Sequence, residues 1–84
     1  MFEVFLSSSS ENFLKKCENE IHERVLKKIK ELANEPFPSE AKRVVGRKEK
    51  VFRVRVEDFR ILYVVFHEKS EILIADIDKR SRIY

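Results

Sequence analysis

Tryptophan, threonine and glutamine are missing altogether from this 84-residue sequence; glycine, cysteine and methionine occur once each and proline twice. Each shortage excludes something. A single cysteine, Cys17, makes no internal disulfide, so the fold must rest on its core, and the expected compartment is the reducing cytoplasm. So little glycine and proline excludes collagen-like repeats and low-complexity disorder. The longest apolar run, Ile61–Phe66, is far short of the ~20 residues a membrane helix needs. The first residues lack the charged start and apolar stretch of a signal peptide, and no membrane partner is expected. No His, Cys, Asp and Glu residues share metal-ligand spacing, and the lone Gly46 belongs to no phosphate-cradling motif. Neither a metal nor a cofactor is therefore expected.

What is present is a core and a great deal of charge. Hydrophobic residues make up 43% of the chain and aromatics 11%, which suits one small globular domain over residues 1–84. Such a domain buries only roughly 60–65% of its unfolded surface, so nearly every apolar side chain must serve one core. Lysine and arginine number 18 against 15 aspartate and glutamate, a net charge of +3. The positive charge is blocked rather than spread. Residues 41–60 carry 8 basic and 3 acidic side chains, residues 79–84 carry 3 and none, and the intervening 61–78 carry 1 and 4. A polyanion responds to such blocks.

Periodicity divides the chain in two. Phe2–Leu6 reads as a short strand. Ser7–Ser10 reads as a turn, with Ser9 or Ser10 capping a helix that has Glu11 in its first turn. Phe13, Leu14, Cys17, Ile21, Val25, Ile29 and Leu32 then keep helical spacing to Asn34. Cys17 falls on that apolar face as a small buried hydrophobe. Cys17–Glu20 is the one plausible break, so one long helix and a two-helix hairpin both fit. The opposite face carries charges of both signs at i,i+4, such as Glu23 and Lys27. Pro36 blocks helical geometry at Glu35 and ends the segment. Beyond the charged link Arg47–Lys50 the period becomes two. Val51–Val56 alternates, Glu57-Asp58 is a two-residue loop of unfavourable residues, Phe59–Phe66 is an apolar strand, His67–Ser70 turns, and Glu71–Ile77 returns. The expected fold is α+β: an N-terminal strand, a helical hairpin or long helix, then an antiparallel three-stranded meander.

The meander gives the arginines a geometry. With Glu57-Asp58 as the loop, Val56 faces Phe59, Arg55 faces Arg60 and Arg53 faces Leu62. Arg53, Arg55 and Arg60 then share one face, and Phe52, Val54, Ile61 and Tyr63 the other. Pairing Phe66 with Glu71 sets Arg60 opposite Ile77, so the basic segment 79–84 leaves the sheet near Arg55 and Arg60. Like charges placed opposite one another destabilise a strand pair. Either Glu57, Asp58, Asp76 or Asp78 neutralises them, or the guanidinium forks form a phosphate site. The same face carries an apolar strip of Leu62, Val64, Phe66, Leu73, Ala75 and Ile77. Either a partner docks on it, or the N-terminal strand and Pro36–Pro38 fold over it.

The stretch Val51-Phe52-Arg53-Val54-Arg55-Val56-Glu57-Asp58-Phe59-Arg60-Ile61-Leu62-Tyr63 resembles the central hairpin of the RelE/ParE toxin superfamily: aromatic-basic-x-basic, a short turn, then aromatic-Arg-x-x-Tyr. Asp78-Lys79-Arg80-Ser81-Arg82-Ile83-Tyr84 resembles the closing lysine-arginine segment of the RelE branch, with its tyrosine a few residues on. The order of elements extends the resemblance over essentially the whole chain. It implies a ribosome-dependent endoribonuclease that cuts messenger RNA in the ribosomal A site without metal. A ribose 2′-hydroxyl attacks the adjacent phosphate and leaves a 2′,3′-cyclic phosphate and a 5′-hydroxyl. By motif position Arg80 matches the general acid and charge stabiliser, Arg60 a stabiliser of the phosphate oxygens, and Tyr84 the tyrosine that stacks on a codon base. Lys79, Arg53 and Arg82 would hold the substrate. The implied partners are a RelB-like antitoxin, the ribosome and messenger RNA.

One departure bears on mechanism. Arg53 and Arg55 stand where the family often has lysines, one of them the proposed general base. Arginine scarcely ever gives up its proton, so Arg55 stabilises charge better than it takes a proton. Tyr84 or a water would then be the base. Two other readings follow from the same resemblance: a ParE-like toxin that poisons DNA gyrase without cutting RNA, and a degenerate binding module.

Overall fold

A computed structural model describes residues 1–46 and 50–79. In chain order it forms β1 (Glu3–Leu6), α1 (Ser8–Lys16), α2 (Asn19–Asn34), β2 (Lys42–Arg43), β3 (Val51–Val56), β4 (Phe59–Phe66), a 3₁₀ turn (His67–Lys69) and β5 (Glu71–Lys79). The strands make one mixed sheet in the order β1-β5-β4-β3-β2. The expected meander is its centre. β1 runs parallel to β5 and lengthens the sheet at one edge, rather than folding over a face. β2 pairs antiparallel with β3 at the other edge. No helix among the described residues is long and apolar enough to cross a membrane.

The helical segment is a hairpin. Cys17 and Glu18 both take extended geometry, with ψ of 163° and 152°, and separate α1 from α2. His22 secures the corner: its Nδ1–H donates to the Leu14 carbonyl at 2.9 Å, one of the acceptors a helix C-terminus leaves open. Cys17 is half-buried against the core. At the far end of α2, Glu35 is extended ahead of Pro36. Leu14, Val25, Ile29 and Leu32 from the helices join Val54, Val56, Ile61, Tyr63, Ile72, Ile74 and Ile77 from the sheet in one core. Burying such aliphatic side chains stabilises by about 1.5–3 kcal/mol each. Both helices thus cover one face of the sheet.

β5 departs from regular alternation, and the departure fixes its polarity. Tyr63 pairs with Ile74 and Leu62 with Asp76, so Ala75 is an extra, unpaired residue in a β-bulge. Beyond the bulge the parity is restored to the core's advantage. Ile77 lies opposite Ile61 and is buried, while Asp76 and Asp78 take the other face. Two expectations are corrected here. Arg60 faces Asp78, not Ile77, and Ile77 belongs to the core, not to the strip on the arginine face. β5 also runs two residues further than the expected Ile77.

The serine run holds the bulge. Ser7, not Ser9 or Ser10, caps α1: its oxygen accepts from the Ser10 amide at 3.1 Å. Its hydroxyl donates to the Ala75 carbonyl at 2.7 Å. The fully buried Ser10 donates to the Ile74 carbonyl at 2.9 Å, and Ser9 donates to Asp76 Oδ1 at 2.8 Å. Bulging frees carbonyls from the ladder, and these hydroxyls satisfy them.

A second tether positions β2. Tyr63, fully buried, donates its hydroxyl to the Pro36 carbonyl at 2.7 Å, and Phe37 packs edge-on against Phe52. Lys28 on α2 donates to Glu40 at 2.9 Å and also pairs with Glu31. Gly46, at φ +89°, makes the turn that follows β2. The expected link Arg47–Lys50 lies mostly outside the described residues.

Replacing Ser7 with alanine removes both a helix cap and a bulge contact. It should lower unfolding free energy by about 1–2 kcal/mol in urea titration, and an unchanged midpoint would contradict the role. Tyr63 gives a pH signature. Burial, with a smaller contribution from the nearby Glu40 charge, pushes its hydroxyl up from 10.0 to about 12. The folded state therefore holds this proton more tightly than the unfolded chain. That stability is intact below about pH 10 and is lost as the pH rises toward about 12. Alkaline unfolding should show this loss, and Tyr63→Phe should abolish it; equal slopes for the two proteins would refute the assignment.

Candidate phosphate-binding face

β3 and β4 pair as the alternation requires: Val56 with Phe59, Arg55 with Arg60 and Arg53 with Leu62. The tight link succeeds because Glu57 accepts φ +53°, an uncommon conformation for a non-glycine residue. Arg24 on α2 donates to the Glu57 carboxylate and also pairs with Glu20, fastening the loop to the helix.

The face opposite the helices is built in rows across the strands. One row is apolar: Phe5, Leu73, Val64 and Val51. The next runs Asp76, Leu62, Arg53 and Lys42, and the last Asp78, Arg60 and Arg55. Acidic residues thus collect on β5 and basic residues on β4, β3 and β2. The apolar strip differs from expectation in membership. Phe5 and Val51 join it, Ile77 leaves it, and Phe5 (43%) and Phe66 (44%) are its most exposed members.

Glu40, Lys42, Arg53, Val54, Arg55 and Arg60 line a cleft of about 370 Å³. Arg60 is buried, with 5% of its surface exposed, while Arg55 beside it is exposed and Arg53 half-buried. Burial makes Arg60 a fixed charge at the base of the cleft, and Arg55 a movable one at its rim. Two of the acids proposed to neutralise this cluster have other partners. Glu57 serves Arg24, and Asp76 Oδ1 accepts from Ser9 and from the Ile77 amide. Asp78 stands across the ladder from Arg60 and accepts from the Lys79 amide at 2.7 Å. Among the described residues, neither Arg53 nor Arg55 takes part in an ion pair. Glu40 is held by Lys28, whose hydrogen bond keeps the carboxyl below its ordinary pKa; the same bond raises that of Lys28.

The face brings together Arg53, Arg55 and Arg60, three of the seven sequence-derived site residues. Lys79 lies opposite Phe59 and has the parity of Ile77, so it is not in the arginine row. Arg80, Arg82 and Tyr84 lie outside the described residues. Lys42 was missed by sequence reasoning. A two-residue edge strand has no period to detect, and its signal is only the basic pair Lys42-Arg43 before a glycine turn. No group of three or more His, Cys, Asp and Glu that could hold a metal occurs among the described residues.

The Arg55–Arg60 pairing should cost stability. Arg55→Thr should therefore raise unfolding free energy by about 0.2–1 kcal/mol, with the gain shrinking as salt screens the repulsion. A destabilised Arg55→Thr protein would mean that Arg55 has a structural partner instead.

With this geometry in place, the comparisons with known proteins are consistent. The family described as "ParE toxin of type II toxin-antitoxin system, parDE" matches residues 4–84. A Methanocaldococcus jannaschii protein named "Putative toxin RelE1" is 36% identical over 83 residues, covering 77% of this chain and 91% of its own length. In fold the chain is similar to the RelE–RelB complex of Pyrococcus horikoshii, at TM-score 0.83 and 24% identity over 96% of this chain and 97% of that one. It is also similar to isolated Escherichia coli RelE, at TM-score 0.82 and 18% identity over 98% and 87%. Bulge, hairpin and helices together make one architecture, and the chain belongs to the RelE/ParE superfamily of toxins from type II toxin–antitoxin systems.

Proposed function

We propose that the protein is a RelE-like messenger RNA interferase that cuts the message in the ribosomal A site without metal. The observation that supports this most is the direct pairing of Arg55 with Arg60 beside Arg53, in a cleft where Glu40 is held by Lys28. Attack of a 2′-hydroxyl on its adjacent phosphate passes through a phosphorane whose extra negative charge needs fixed cations in a site of low mobility. Arg60, buried, supplies such a charge, and Arg55 closes on the second pair of oxygens. The proton of the 2′-hydroxyl passes to Tyr84 or a water, since arginine is a poor base. Arg80 donates to the departing 5′-oxygen, and Tyr84 stacks on a codon base. With so few acid–base groups the chain relies on the ribosome to align attacking oxygen and leaving group in line.

The partner in the resting cell is a RelB-like antitoxin, as in the RelE–RelB complex from Pyrococcus horikoshii and that from Escherichia coli. The apolar strip of Phe5, Leu73, Val64 and Phe66 offers it a dock beside the arginines. A second reading is favoured by the family description itself, which is that of ParE: inhibition of DNA gyrase with no RNA cut.

Incubating the protein with ribosomes programmed with a defined message decides between them. Cleavage within the A-site codon, leaving cyclic phosphate ends, is the expected result. Arg60→Ala and Arg80→Ala should each lower kcat by about 10²–10³. An intact message, together with inhibition of gyrase supercoiling, would establish the second reading.

A further inference from the structure

We propose that Lys42 and Arg53 form a second phosphate subsite, next to the Arg55–Arg60 pair, that holds the neighbouring phosphate of the bound RNA strand. This rests on the reading of the face as an RNA site. β2 sets Lys42 directly across from Arg53, and the two line the same cleft as Arg55 and Arg60. The four cations do not form a ring around one point. Arg60 and Arg55 share one row, Arg53 lies two residues along β3, and Lys42 is one strand further out. Strands lie about 4.8 Å apart and alternate residues about 6.7 Å apart along a strand, so the cations make a stepped track across the sheet, longer than one phosphate. Cationic tracks of this kind follow the backbone of a single strand.

The charge around the track is arranged to keep it positive. Among the described residues, Glu40 is the only acid lining the cleft. It accepts from Lys28 Nζ at 2.9 Å, so a helix lysine outside the cleft takes up its charge. Asp76 and Asp78 stand on β5, on the far side of β4 from Lys42. Lys42 itself takes part in no ion pair among the described residues. An edge strand of two residues adds little to the sheet, but it delivers this ammonium to the rim of the arginine cleft.

The two subsites should separate kinetically. Lys42 contacts a phosphate that does not react, so Lys42→Ala should raise KM on programmed ribosomes and leave kcat near native, whereas Arg60→Ala lowers kcat. Equilibrium binding gives a second readout. The probe is a single-stranded RNA of about ten nucleotides, 2′-O-methylated throughout so that it is not cut. For the native protein, log affinity should fall linearly with log salt. Lys42→Ala and Lys42→Gln should each reduce that slope by about 0.7, the value for one phosphate contact to a single strand. Glu40→Gln should tighten binding. An unaltered slope in both Lys42 variants, with a reduced slope in Arg60→Ala, would overturn the second subsite and leave the RNA site standing. A native protein whose binding is absent or independent of salt would overturn the RNA site, and the subsite with it.

Discussion

One extra residue in β5 decides what each face of this protein can be. Ile72, Ile74 and Ile77 all reach the core, although regular alternation would put Ile77 outside and Asp76 inside. The bulge at Ala75 absorbs the odd step, and the hydroxyls of Ser7 and Ser10 hold the carbonyls around it. Leaving a carboxylate in the core would cost several kcal/mol, far more than the local distortion of a bulge. Asp76 and Asp78 are thereby confined to the arginine face, on the β5 side of β4. The opposing charges on that face therefore lie in separate halves.

That separation carries a cost which the remainder of the fold offsets. Arg55 and Arg60 are directly opposite, in a position that pure stability would disfavour. The core, the helical hairpin and two tethers provide the margin. Arg24 fastens the β3–β4 loop to α2, and the Tyr63–Pro36 hydrogen bond with the Lys28–Glu40 pair fastens the segment leading to β2. Exposed ion pairs are individually worth little. Their importance here lies in direction: each draws a carboxylate away from the arginines toward a helix.

The degree to which this was legible in the sequence follows physical lines. The β3–β4 register was readable because Val54, Val56 and Ile61 admit only one alternation, and a slip of one residue would expose them all. The end of α2 was readable from Pro36. The bulge was not foreseen, although the spacing of Ile72, Ile74 and Ile77 carries its signal, two and then three. Ser7 rather than Ser9 or Ser10 caps α1 because its hydroxyl also has the Ala75 carbonyl to serve, a partner far away in sequence. β2 and the parallel pairing of β1 depend on contacts with distant strands and leave no local period. Lys42 was missed with β2, and the bulge sets Lys79 opposite Phe59. Arg80, Arg82 and Tyr84 remain assigned by motif alone.

The proposed phosphate site requires Arg55 and Arg60 to grip one phosphate together. Guanidinium Nε–Hε resonances, assigned by substitution and followed by NMR during titration with a dinucleotide carrying a 3′-phosphate, test it directly. A shared phosphate moves both resonances along a single saturation curve while that of Arg24 stays still. Movement of only one of the pair, or of Arg24 in their place, would contradict it.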